Sequence, residues 1–375
     1  MQTKREKIKN IVVTISFVAF MIFFVTMCVV KYFNPSAESE SERRPLSQFP
    51  SNITLESVIN KDSINKFEDY SVDQFPFREF FRNIKANFQM YVLGLKENNG
   101  LAVEDGYIAK IEAEFNESNV EYSIGKLEYI YNTYIKDKAE NTYLSIIPDK
   151  NYFFGEKYGY VTPDYESLIE ELRKALGDTE YIDIFQSLEL EDFYKTDTHW
   201  SQDKLSDVLL TLGDAMGFSE KLSGKYEEHT EYPFLGVYHG QSALSPDPDT
   251  ITYLINEYLD AMTVFDYLDS KTYSIYNFEK LEGKDGYEFF LSGTRPLLRI
   301  DNPLAKTDKE LVIFRDSFGS SISPLIAEGY KTVYVVDIRY VAPKIADNMI
   351  DFEGKDVLFL YSAMILNTRS FLDQP

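Results

Sequence analysis

The chain has 375 residues, 44% of them apolar, which is enough to bury a full core in one large or two ordinary domains. Its formal charge is −23 and is unevenly placed: residues 1–35 carry +4, while the remainder sets 33 Lys/Arg against 60 Asp/Glu. An acidic body of this kind repels a phosphate backbone and argues against nucleic-acid binding. The single cysteine, Cys28, rules out an internal disulfide and a thiolate zinc site. With 28 Tyr and 28 Phe the aromatic load is high, as a Tyr-rich core and surface would give and as carbohydrate-facing proteins often show.

Lys4, Arg5, Lys7 and Lys9 precede an uncharged apolar run from Ile11 to Val30. About 20 such residues cross a bilayer core of roughly 30 Å as a helix, with the hydroxyls of Thr14, Ser16 and Thr26 returned to the helix backbone. A cleaved signal peptide is the competing possibility. Its apolar core is usually only about 7–15 residues, and Asn34-Pro35-Ser36-Ala37 is a poor cleavage site. The expectation is a retained anchor over 11–30, a basic tail over 1–10 in the cytoplasm, and everything after about residue 31 outside the cell. An acidic body without cysteine suits a bacterial cell surface.

Residues 31–53, polar and charged with several prolines, read as a linker. Residues 54–98 carry helical patterning. Phe77, Phe80, Phe81, Ile84, Phe88 and Tyr91 line one face, with Arg78, Arg82 and Lys85 on the other, so a docking segment against the main domain is expected, with partner binding as the alternative. Leu101–Ile108 reads as a hairpin turning at Asp105-Gly106. Over 99–375 helix and strand then alternate. Helix 120–136 leads to strand Tyr143–Pro148, helix 164–176 is stopped by Gly177, and strand Tyr181–Phe185 follows. Ser201 caps a helix running to Met216, and 219–250 is loop-like. The last third gives strand 311–314, helix 320–328, strand 332–336, helix 342–350 and strand 357–361, a pattern that predicts a parallel sheet covered by helices on both sides.

Two stretches carry chemistry. Ser317 follows the buried run Leu311–Phe314 and opens a helix, where free backbone N–H groups and the positive helix end can stabilise an oxyanion. Gly319 permits the tight turn. The plainer account is that Asp316 or Ser317 merely caps that helix. In Asp197-Thr198-His199-Trp200, an extended backbone would place Asp197 and His199 on one side, so the carboxylate can take the Nδ1 proton and leave Nε2 as base for Ser317. Trp200 can wall such a site; a surface ion pair is the plainer account. The same Asp-x-His spacing occurs in binuclear metallophosphoesterases, but His229 and His239 are the only other histidines, too few for that cage. No metal and no cofactor is expected.

Together these segments resemble the DHHW protein family, which is related to the SGNH-hydrolase-like domains of alginate-type polysaccharide O-acetyltransferases. The likeness extends to Arg43-Arg44-Pro45-Leu46 with Phe49-Pro50, Asp73–Arg78, Ile146–Lys150, Asp337-Ile338-Arg339-Tyr340 and Val357–Tyr361. It implies an SGNH-like α/β sheet with Ser317 as nucleophile, His199 as base and Asp197 as orienter. It also implies a cell-envelope polysaccharide substrate and a membrane-bound O-acyltransferase as acyl source. Thr198 stands where the family name has a second His, and Arg315 where a Gly-Asp-Ser block has Gly. Gly236, Gly240 and Asn367 are candidates for further oxyanion donors. Arg339 and Tyr340 are candidates to reach the site, with Asp337 or Asp316 as alternative partners for Arg339. A catalytically silent carbohydrate-binding or envelope-assembly protein on the same fold is the alternative. A separation of His199 and Ser317 beyond about 6 Å would favour it, since a base must come within hydrogen-bond reach.

Overall fold

A run as apolar as Ile11–Val30 makes a helix with no polar side to turn toward water. In the computed structural model, which describes residues 3–371, it lies within a single helix, α1 (Lys4–Phe33), opened by a capping box between Thr3 and Glu6. Thr26 donates its hydroxyl to the Ile22 carbonyl at 2.8 Å. The helix is long and apolar enough to cross a membrane, and its apolar run is not buried against protein.

The chain divides into two units, the first holding residues up to Asn98 together with Gly240–Ser245. Beyond α1 it contains α2 (Leu55–Ile59), α3 (Asp62–Asp73) and α4 (Arg78–Asn87). The expected linker carries structure. Glu38–Ser39 pairs with Arg44–Pro45, and Arg44 grips Asp73 through two hydrogen bonds of 2.9 and 2.6 Å. Those bonds hold the Asp73 carboxyl down at about 2. Arg78 and Arg82 reach Glu42 at 2.5 and 3.1 Å, and Arg82 also donates to the carbonyls of Gly240 and Gln241. The polar side of α4 is therefore its covered side. Phe80, Ile84 and Phe88 of its apolar stripe are exposed.

The second unit holds Asn99–His239 and the residues from Pro246 onward. Its strands are β1 (Leu101–Glu104), β2 (Tyr107–Lys110), β3 (Asn141–Ile147), β4 (Glu180–Tyr181), β5 (Glu227–Phe234), β6 (Asp249–Ile255), β7 (Thr263–Asp266), β8 (Lys271–Tyr273), β9 (Leu297–Asp301), β10 (Glu310–Arg315), β11 (Thr332–Val336) and β12 (Asp356–Ser362). Its helices include α5 (Glu117–Ile130), α6 (Lys150–Tyr158), α7 (Tyr165–Ala175), α8 (Ser206–Met216), α9 (Val237–Ser242, whose end belongs to the first unit), α10 (Glu257–Ala261), α11 (Gly319–Ile326), α12 (Pro343–Met349) and α13 (Ala363–Leu366).

Eight strands form one sheet in the order β8-β7-β9-β11-β10-β12-β3-β4. From β11 to β4 the neighbours are parallel, as expected; β9, β7 and β8 add an antiparallel edge. Successive residues of β10 face opposite ways, and both sides are dry. Leu311 and Ile313 pack with Val208, Leu212 and Ile322 of α8 and α11, while Val312 and Phe314 pack with Leu127, Leu172 and Ala346 of α5, α7 and α12. This double covering is why Leu311–Phe314 is uninterrupted by polar residues.

Three local expectations change. The strand expected over Tyr181–Phe185 is only β4, since Asp183 turns back to accept the Phe185 N–H. Ser201 makes no side-chain cap: a short 3-10 turn over Gln202–Lys204 precedes α8. Residues 219–250 are not loop-like throughout, because β5 pairs antiparallel with β6 and α9 follows β5.

Candidate active site

In the sheet order, β10 lies between β11 and β12, which follow it in sequence, so the chain crosses from one side of β10 to the other. Ser317 sits just past the carboxyl end of β10 at that crossing, where open α/β sheets gather ligands. Both oxygens of Asp316 are committed to holding this turn. Oδ1 accepts the Phe318 N–H at 3.0 Å, while Oδ2 accepts the Ser362 N–H at 2.9 Å and the Ser362 hydroxyl at 2.6 Å. Asp316 thus ties the turn to the end of β12 as well as capping it. The N–H groups of Gly319 and Ser320 go to the carbonyls of Asp316 and Ser317 at 3.1 Å each. The Ser317 N–H alone among residues 317–320 has no acceptor among the described residues.

Residues 194–199 do not run straight. A bridge between Phe193 and Trp200 closes them into a bent loop, with the Tyr194 N–H on the His199 carbonyl at 3.1 Å. Asp197 and His199 meet through a turn of the Asx type: Asp197 Oδ1 accepts the His199 N–H at 3.0 Å and lies 2.6 Å from His199 Nδ1. His199 Nε2 lies 2.8 Å from Ser317 Oγ, well inside hydrogen-bond reach. Asp197 and His199 are buried, and Ser317 is partly exposed. The structure therefore brings the three expected residues into one line of hydrogen bonds.

The loop is fixed from several sides. Asp197 Oδ2 accepts the Val237 N–H at 2.9 Å. Asp249 takes the Thr196 N–H and hydroxyl at 2.7 and 2.6 Å and the Lys195 N–H at 2.8 Å. Lys150, buried at the start of α6, donates to the carbonyls of Ile108, Lys195 and Asp197. Burial pulls its ammonium down to about 7, against the opposing pull of Asp197 and Asp249. Tyr287 stacks flat on the His199 ring, 3.9 Å between centroids, and shares a 2.8 Å hydrogen bond with Ser321. Asp249 and Tyr287 escape the sequence reading, and Lys150 enters it only as part of the Ile146–Lys150 likeness, without a role. Its trace there is a lysine three residues past the end of β3.

The supporting candidates sort clearly. Trp200 is fully buried and donates to the Phe318 carbonyl and to Ser321 Oγ at 3.1 and 3.0 Å, so it braces the serine turn from behind and does not wall it. A Cβ on Gly319 would come within 2.7 Å of Arg315 Cβ, which is why the arginine stem can lie under the turn. Arg315 is wholly buried. Its Nη1 donates to the Asp316 carbonyl at 3.1 Å and lies 3.6 Å from Asp337 Oδ2, while Nε and Nη2 have no hydrogen-bond partner. Arg339 pairs with Asp337 at 2.6 and 2.8 Å, and Tyr340 is exposed. Thr198 is buried and accepts the Tyr238 hydroxyl at 3.2 Å.

The three candidate donors for an oxyanion are engaged elsewhere. The Gly236 N–H goes to Thr196 Oγ1 at 2.8 Å, and a Cβ on that residue would collide with Asp197. Gly240 packs on the Ser41 backbone in the first unit. The side chain of Asn367 ties down the Asn116 N–H and Glu112. His229 sits on β5 beside Glu227 at 3.0 Å.

No family model matches the chain, and no curated protein matches it. Solved structures do. A DHHW family protein from Eubacterium siraeum superposes with a TM-score of 0.56 at 21% identity, over 72% of this chain and 93% of its own. Bacillus cereus PatB1, solved with a sulfonyl adduct, gives 0.53 at 19% identity over 73% and 98%. The O-acetyltransferase domain of Pseudomonas putida AlgJ gives 0.44 at 14% identity over 72% and 92%. The chain has the α/β fold of the first two, and its resemblance to DHHW structures holds at the level of that fold.

Proposed function

We propose that this chain is a membrane-anchored serine acyl-transfer enzyme acting outside the cytoplasm, an O-acetyltransferase or O-acetylesterase of a cell-envelope polysaccharide. The observation that carries the enzymatic part is the unbroken line from Asp197 through His199 to Ser317, at 2.6 and 2.8 Å. The helix α1, preceded by basic residues and followed by an acidic chain, supports the anchor and its orientation. The polysaccharide and the membrane-bound O-acyltransferase as acyl source follow from the motif resemblance.

Ser317 Oγ attacks the acyl carbonyl while His199 Nε2 takes the hydroxyl proton, and Asp197 stabilises the imidazolium and holds its tautomer. The carbonyl π pair moves onto oxygen, which the free Ser317 N–H meets. Collapse expels the donor's alkoxide, which receives the proton from His199 and leaves acyl-Ser317. A sugar hydroxyl then gives transfer, or water gives hydrolysis, by the same steps in reverse order. We assign Arg315 a positioning role. Its cationic bond to the Asp316 carbonyl polarises the Asp316–Ser317 peptide and makes the Ser317 N–H a stronger donor to the oxyanion.

The test is hydrolysis of 4-nitrophenyl acetate by the detergent-solubilised full chain, with labelling by phenylmethylsulfonyl fluoride. Ser317→Ala and His199→Ala are each expected to lower turnover by about 10³-fold or more, and Ser317→Ala to abolish labelling. Labelling undiminished in Ser317→Ala removes that serine from the mechanism. Absence of both turnover and labelling in the parent chain favours the catalytically silent alternative.

A further inference from the structure

A helix at a protein surface normally turns its apolar side inward and its charges to water. In the first unit α4 does the reverse. The side chains of Arg78 and Arg82 are only 11% and 14% exposed, held by Glu42 and by the carbonyls of Gly240 and Gln241. Phe80, Ile84 and Phe88 are 61%, 48% and 50% exposed. Single exposed apolar side chains need no explanation, but a continuous apolar face does. This one continues onto α3 through Phe67 and into the connecting turn through Phe75 and Phe77.

The face has no polar boundary with α1. Phe75 and Phe81 lie 6.1 and 6.2 Å from Phe24, ring to ring, and Phe77 stacks on Phe23 at 6.1 Å. Tyr32, near the end of α1, meets Phe49 at 5.2 Å. An open apolar groove of about 1030 Å³ runs between α1 and the α3–α4 turn. Phe24 stands six residues before Val30, the last residue of the apolar run, which at 1.5 Å per residue is about 9 Å below the point where that run ends. Amphipathic helices lying in a membrane interface bury their apolar faces by roughly 5–10 Å. The two depths agree.

We propose that α3 and α4 form an interfacial platform whose apolar face lies among the phospholipid acyl chains of the leaflet from which α1 emerges, with the α1–α4 groove filled by lipid. The proposal rests on α1 being a membrane anchor. Acyl chains are the occupant that the observations favour, because the exposed face runs unbroken into a helix that itself needs hydrocarbon. Fluid chains also fill an irregular aromatic groove without matching its shape. The Arg78–Glu42–Arg82 cluster then faces away from the hydrocarbon and fastens the platform to the rest of the unit.

The full chain is tested in phosphatidylcholine vesicles on a Cys28→Ser background. Single cysteines replacing Phe80, Ile84 or Phe88 carry a nitrobenzoxadiazole fluorophore. Phe17→Cys in α1 serves as the lipid reference and Lys174→Cys on α7 as the aqueous one. Probes at Phe80, Ile84 and Phe88 are expected to lose at least half their fluorescence to lipids brominated on the acyl chains and almost none to aqueous iodide, as at Phe17 and opposite to Lys174. Iodide quenching at all three positions with Phe17 still in lipid overturns the platform and leaves the anchor standing. Iodide quenching at Phe17 as well overturns both. Shielding of the three positions from both quenchers means that protein covers the face, a second copy included, and also overturns the proposal.

Discussion

The sequence singles out Asp197, His199 and Ser317 because two of them are two residues apart and a strand end presents the third, although an Asx-type turn, not the extended backbone expected, joins the first two. Their neighbours are not legible. Tyr287, stacked on His199 at 3.9 Å, comes from a segment with no motif, and only the folded chain brings it there. The glycines considered for oxyanion donation fail because residue type says nothing of where an N–H points; Gly236 spends its own on Thr196. Arg315, a departure from the motif, lies buried under the turn with Nη1 on the Asp316 carbonyl. Arg315→Met is expected to lower kcat about 10-fold, the scale of one charge-assisted hydrogen bond, with KM little changed. Arg315→Lys should restore part of the loss. A fall in thermal stability with kcat unchanged would make the arginine a packing residue only.

The segment Ile146–Lys150 does two jobs, because the end of β3 becomes the start of α6. Lys150 supplies one N–H to each of three carbonyls, among them that of Asp197. Lys150→Met takes that donor from the Ile108 and Asp197 carbonyls in a dry space, while the Lys195 carbonyl keeps the Ile108 N–H at 2.9 Å, and a loss of about 3 kcal/mol or more is expected in urea unfolding. Acetyl-ester turnover should fall with it as the Asp197 loop loosens. Asp149 caps α6 through the Asn151 N–H and accepts the Tyr165 hydroxyl at 2.8 Å, yet burial pushes its carboxyl up to about 6. The folded chain therefore holds this proton more tightly than the unfolded one. Below roughly pH 4 both states carry it and there is no penalty; the penalty grows with rising pH and is complete above about 6. Asn keeps both hydrogen bonds and cannot ionise. Asp149→Asn should thus gain up to about 3 kcal/mol near pH 8 and nothing near pH 4, read from urea midpoints. Equal effects at both pH values would count against the burial argument.

Across the whole chain, what the sequence conveys depends on how a strand is covered. Leu311–Phe314, Thr332–Val336 and Val357–Tyr361 are nearly pure apolar runs, so their parallel order with helices between them can be anticipated. The β5–β6 pair is hidden among polar residues and Pro233, and its register shifts between Glu231 and Phe234. Such a half-solvated hairpin reads as loop. The apolar stripe of α4 is visible as a stripe, but periodicity gives no sign of which medium it faces. That question belongs to the whole molecule, and the lipid-quenching measurement addresses it.

The carboxylate of Asp316 reaches forward 46 residues to take both the amide and the hydroxyl of Ser362. The turn bearing Ser317 is therefore completed by the last strand of the sheet. While the polypeptide is still being made, everything through α12 can be present and the serine still lack its final brace. A chain cut short before β12 should carry Asp197, His199 and Ser317 yet lack that brace, and on the proposed function it is expected to show no acetyl-ester turnover.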